Sequence, residues 1–132
     1  MTAVFLETSA LLRMLFGEKG GDSVVQRLRE ADRAVASRLI RVEAERALIR
    51  LGLDHPKLQR KLMEIERELK HFWPKLDLIE ITQEICERAG RIAPRSRIRS
   101  LDAIHLATFF KIKELEPSIE MLTFDERIQQ EI

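Results

Sequence analysis

The sequence has a single cysteine, Cys86, which excludes an internal disulfide framework and any cysteine-rich zinc site. No apolar run approaches the roughly 18 residues that a membrane-spanning helix needs. The opening "MTAVFLE" carries neither a basic region nor a small-residue cleavage motif, so no secretion signal is expected. A reducing cytoplasm is the expected compartment. Repeats, low-complexity tracts and Ser/Gly linkers are missing, so residues 1–132 read as one domain. The lack of a glycine-rich phosphate loop argues against a nucleotide-binding enzyme. Asparagine is absent while Arg and Glu abound, a bias associated with heat-resistant proteins. Charge of one sign is also lacking. A net charge of +1 points to a local groove rather than to general affinity for polyanions.

What is present is an ordinary globular balance, 45% hydrophobic and 34% charged. A chain of this length buries about two-thirds of its unfolded surface and needs no staples. Short apolar runs alternate with longer amphipathic ones. "AVFLE", "AVAS", "LDLIEIT" and "IEMLTF" read as strands. Between them, Thr8 or Ser9 caps a helix to about Phe16, and Asp22 caps a second. Ser37 opens a third helix that Gly52 ends. A fourth has Pro56 near its start and Leu58, Leu62, Ile65 and Leu69 on one face, spaced for core burial or for a dimer contact. "QEICERAGRIA" is helical up to Pro94, with Cys86 in the core. Ser100 caps "SLDAIHLATFFKIKEL", and "DERIQQEI" begins a last helix. Strands separated by helices predict an α/β fold: a parallel sheet of about four strands with helices on both faces.

In such a sheet, sites form beyond the carboxyl ends of the strands. Glu7 ends the first strand and Asp125 the fourth, and each begins a helix, where negative charge is favoured. Asp102 lies in the first turn of its helix. Glu43 lies among the apolar residues of the third helix. Each acid alone has a bland alternative, as a helix-start or solvated residue. Glu7 is the hardest to dismiss, because a buried strand has no structural need of a terminal carboxylate. The four together favour a shared site.

The segments "VFLETSALLRML", "SRLIRVEAERAL", "RSLDAIHLATF" and "LTFDERI" resemble, in order and rough spacing, the PIN-domain nucleases. They are most similar to the VapC-type toxins of toxin–antitoxin pairs. The resemblance runs from Val4 to about Ile128 and puts the family's four acids on Glu7, Glu43, Asp102 and Asp125. It implies a PIN-like three-layer sandwich and an endoribonuclease dependent on Mg²⁺ or Mn²⁺. It also implies a homodimer and silencing by a cognate antitoxin. Two departures stand out. The family's first acid is almost always Asp, and the longer Glu7 shifts its carboxylate by about 1 Å, a misplacement that can cost on the order of a hundredfold in rate. The fifth strand usual in this fold is also not expected.

Hard oxygen donors suit Mg²⁺ or Mn²⁺. On this reading Glu7 and Asp102 bind the metal directly, Asp125 directly or through water, and Glu43 orients a metal-bound water or acts as a base. Ser9 and Thr123 hydrogen-bond the carboxylates or a phosphate, or else serve in caps and turns. Arg88, Arg91, Arg95, Arg97 and Arg99 cluster before Asp102, and forked guanidiniums suit phosphate. Arg95, Arg97 and Arg99, in the loop-like "PRSRIRS", are the residues expected to touch RNA, unless the run is merely a solvated face. His105, three residues after Asp102, reads as a packed or hydrogen-bonded histidine before a metal ligand. Phe72 and Trp73 read as core before antitoxin groove. The principal alternative is a non-catalytic PIN-like module that binds RNA or protein. A phospho-acceptor domain ranks low, since no phosphate-facing Lys ends a late strand.

Overall fold

The computed structural model describes residues 2–132. Strand β1 (Ala3–Leu6) is buried at every position. A strand covered on both faces needs no polar alternation. Helices α1 (Thr8–Phe16) and α2 (Gly21–Glu30) lead to β2 (Arg33–Ser37), and α3 (Leu39–Asp54) and α4 (Gln59–Phe72) lead to β3 (Asp77–Ile79). Then α5 (Gln83–Ala89) and α6 (Ser100–Leu115) precede β4 (Glu120–Leu122) and the short α7 (Glu126–Gln129). The strands are all parallel in the order β3-β2-β1-β4, with Phe5 opposite Val35 on one side and Met121 on the other.

The two faces of the sheet carry separate cores. Ala3, Phe5 and Val35 pack against Phe109, Ile112 and Ile119. Phe5 meets Phe109 edge-on, with ring centroids 5.6 Å apart. Val4, Leu6 and Ala36 face the other way, onto Leu11, Val24, Ile40, Ala44, Leu62, Ile65 and Leu69 from α1 to α4. The three-layer α/β arrangement expected from the alternation of elements is therefore present. The chain steps from β1 through β2 to β3, then returns past β1 to place β4 on the far side. That reversal opens a crevice beyond the carboxyl ends of β1 and β4. No helix among the described residues is long and apolar enough to cross a membrane.

Several local expectations are corrected. Neither Thr8 nor Ser9 caps α1; Glu7 does, its side chain accepting from the Ser9 amide. Gly20, not Asp22, precedes α2, and Asp22 sits within the first turn. Ser37 ends β2 instead of opening α3, although its hydroxyl accepts from the Leu39 amide. Gly52 does not end α3, which continues to Asp54, and a side chain at 52 would meet Leu62 Cδ1 at an ordinary contact distance of 3.4 Å. A tight turn at Pro56–Leu58 precedes α4. Helix α5 stops at Ala89, well short of Pro94, and Ser100 is the first residue of α6 rather than its cap. Cys86 is exposed, not core, because the short α5 buries only Ile85. Leu62, Ile65 and Leu69 of α4 are buried as core, and so is Trp73.

Candidate active site

Glu7 leaves the buried end of β1 and is itself only 5% exposed. Its carboxylate is held by the Ser9 amide at 3.1 Å, the Ser9 hydroxyl, and the Thr123 hydroxyl at 2.6 Å. The same two hydroxyls fasten the turn after β4. Ser9 Oγ accepts from the Phe124 amide at 2.8 Å, and Thr123 Oγ1 from the Asp125 amide at 3.1 Å. Ser9 and Thr123 thus bind a carboxylate and shape a turn at once. The network ties β1 to β4 across the reversal point and sets the place of Asp125. Asp125 caps α7 through one oxygen, which accepts from the Ile128 amide at 3.0 Å.

Asp102 stands in the first turn of α6, half-buried. It accepts no protein hydrogen bond among the described residues. Burial pushes its carboxyl above the ordinary Asp value, and the negative charges of Asp125, Glu7 and, least, Glu43 push the same way, with His105 opposing them. The other three acids thus add, behind burial, to the elevation at Asp102.

Glu43 reaches in from α3. Its Oε1 accepts from Thr8 Oγ1 at 2.5 Å and lies 2.5 Å from His105 Nε2. Burial works to raise its carboxyl, but the interactions with His105 and the bond from Thr8 outweigh it, so the group is held below the ordinary Glu value. It is no solvated helix residue. His105 is fully buried, and its Nδ1 has no partner. The sequence reading assigned Thr8 only a capping role and gave His105 no link to Glu43. The available signal was the three-residue spacing from Asp102, which sets both side chains on similar faces of α6.

None of the four acids pairs with Lys or Arg among the described residues; Arg33 pairs instead with Asp77 and Glu116, and Arg88 with Glu114. Arg95, Arg97 and Arg99 are exposed on the loop that runs into α6, and none forms an ion pair among the described residues. Ala93, in that loop, adopts φ +44°, a left-handed backbone rare for residues with a side chain. Arg88 belongs to the structural ion pairs instead, with Glu84 as a second partner.

All four acids offer hard oxygen donors, and the discomfort of Asp102 is of the kind a divalent cation relieves. The side chains are nonetheless not drawn into a finished cage. Among the described residues no three acid, histidine or cysteine side chains are grouped as metal ligands. Glu7 has most of its lone pairs committed to Ser9 and Thr123.

The pattern of the PIN domain matches residues 4–131. Ribonuclease VapC46 of Mycobacterium tuberculosis (strain ATCC 25618 / H37Rv) is 35% identical over 108 residues, 82% of this chain and 75% of the relative. Ribonuclease VapC49 of the same strain is 27% identical over 128 residues, 97% of this chain and 88% of the relative. A solved structure described as a toxin-antitoxin complex from Klebsiella pneumoniae superimposes with a TM-score of 0.64 at 18% identity, covering 92% of this chain and 86% of that one. The fold, the order of its acid-bearing segments and these matches agree: the chain belongs to the PIN domain family, with VapC ribonucleases among its relatives.

Proposed function

We propose that this protein is a metal-dependent endoribonuclease, the toxin of a toxin–antitoxin pair, with Glu7, Glu43, Asp102 and Asp125 as its catalytic centre. The observation that carries the proposal is the cluster of acids at the reversal point of the sheet, which no Lys or Arg neutralises among the described residues. A fold does not keep such repulsion for stability. Asp102 and Asp125, with Glu7, would hold Mg²⁺ or Mn²⁺. The ion would lower the pKa of a bound water and polarise the phosphoryl oxygen. Glu43 takes the proton of the attacking water or orients that water. Its Oε1 is already engaged by Thr8 and His105, and its Oε2 accepts no bond from the protein among the described residues. Arg95, Arg97 and Arg99 hold the RNA backbone beside the N-terminus of α6.

A cognate antitoxin belongs to the same proposal, supported by the likeness to a solved toxin-antitoxin complex, and a homodimer is proposed with it. Exposed Ile49, Leu53 and Met63 line a cavity of about 240 Å³ between α3 and α4 and offer apolar surface for an assembly.

The test is cleavage of mixed structured RNAs by purified protein with Mn²⁺ or Mg²⁺, against EDTA, beside Glu7→Asp. Cleavage by both proteins, lost in EDTA, supports the reading with Glu7 as a working first acid. Cleavage by Glu7→Asp alone identifies an attenuated enzyme. A second reading, a non-catalytic RNA- or protein-binding module, is favoured by the commitment of Glu7 to Ser9 and Thr123. It requires both proteins to be silent and Mn²⁺ to leave thermal stability unchanged. The nuclease should instead gain about 2.7 kcal/mol at 100 times the Kd.

A further inference from the structure

We propose that His105 is a positioning residue that, with Thr8, locks one oxygen of Glu43 and thereby presents the other to the reaction; the catalytic part of this rests on the nuclease reading above. His105 lies in the most buried stretch of α6, beside Leu106, Ala107, Thr108 and Phe109. A leucine would pack there without polar atoms. The imidazole instead leaves a buried Nδ1 without a partner, and a buried polar atom left unpaired is unfavourable. Its Nε2 is 2.5 Å from Glu43 Oε1, and Thr8 Oγ1 donates to that same oxygen at 2.5 Å.

The orphaned nitrogen settles the tautomer. A bare acceptor in the core is tolerated more readily than a bare N–H. Nε2 therefore carries the proton and donates it to Glu43, while Nδ1 keeps only a lone pair. Two donors on Oε1 fill its acceptor positions and fix the carboxylate plane. With β1 supplying Thr8 through α1, and α6 supplying His105, the Glu43 carboxylate is held by the elements that carry Glu7 and Asp102. A torsional swing of α3 side chains then cannot carry Glu43 away from the other acids.

Two readouts test this. The first is kcat and KM for Mn²⁺-dependent RNA cleavage by His105→Leu, His105→Asn and His105→Gln. Gln can place an amide N–H near the position of Nε2, and Asn cannot. We expect Leu and Asn to lower kcat by about 10- to 100-fold with KM nearly unchanged, the usual loss when a ligand-orienting partner goes. Gln should recover most of it. Equal kcat for Leu and wild type, or no advantage of Gln over Asn, would overturn the positioning role. The second readout needs no activity. Imidazole ¹⁵N spectra should show His105 as the Nε2–H tautomer, with that proton's resonance displaced in Glu43→Gln. A Nδ1–H tautomer, or a resonance indifferent to Glu43→Gln, would overturn the lock itself. If the wild-type protein cleaves no RNA under any metal, the nuclease reading fails and takes the catalytic part with it, while the spectra still decide the lock. If His105→Leu does not fold, the Gln and Asn pair decides the kinetics.

Discussion

Asp102 pays for its position in charge, and that fixes how its removal should behave. Its carboxyl is raised in the folded protein above the ordinary 3.8. Between the unfolded and folded values the native state binds more protons, so stability falls as pH rises through that window. The penalty is complete above the folded pKa and absent below the unfolded one. Asp102→Asn should therefore melt at a higher temperature than wild type at neutral pH without divalent metal. The gain should shrink as the pH drops towards 3.8, while RNA cleavage is abolished. Melting curves across a pH series check this; a gain independent of pH would mean that charge is not the burden. Glu43 has the opposite sign. Its carboxyl is held low, so its contribution is present above the unfolded value and is lost as pH falls through the folded one. At Thr123, replacement by Val removes the donor to Glu7 and the acceptor for the Asp125 amide. Urea denaturation should show a loss of about 1–3 kcal/mol, the cost of leaving buried groups unmade. The acids themselves were legible in the sequence, because charge at the end of an apolar run has few structural uses. Their partners were not. Thr8 and His105 meet Glu43 across 35 and 62 residues of chain, and local spacing carries no record of such contacts.

Among the elements, α6 was read to within about a residue of its observed limits, since a long apolar-rich segment between a loop and Pro117 leaves little freedom. Helix ends were read less well. The sequence offered Gly52 as a stop, but glycine is only disfavoured in a helix interior, and α3 runs on through it to Asp54. Thr8 and Ser9 are better caps by propensity than Glu7, yet the carboxylate turns back onto the first turn because it is fastened there by two hydroxyls. The order of the strands was not legible at all, because it depends on the direction of each crossover and not on the composition of any strand. Gly21 gives a test at this scale. A Cβ there would sit 2.5 Å from the Arg13 carbonyl oxygen, a backbone atom that cannot step aside without moving α1 against α2. Gly21→Ala should cost about 1–3 kcal/mol through overpacking. Gly90→Ala, where the nearest atom is 3.5 Å away, should be close to neutral in the same melting assay.

For the whole molecule, both edges of the sheet are strands of three residues, which limits edge-to-edge pairing. The proposed RNA contacts lie in the loop before α6, where Arg95, Arg97 and Arg99 are exposed. Replacing Arg95, Arg97 and Arg99 by Ala should weaken RNA binding and flatten the plot of log affinity against log salt by about 2, if each meets one phosphate of a single strand. An unchanged slope in a filter-binding titration would remove the loop from the interface.

The bond between Thr123 and Glu7 spans 116 residues of chain. During synthesis β1 is made first, and most of the protein must follow before β4 exists to pair with it. A nascent chain halted before Glu120 lacks β4, the Thr123 tether and Asp125 alike. On the proposed reading the four acids therefore come together only after the final strand has been translated.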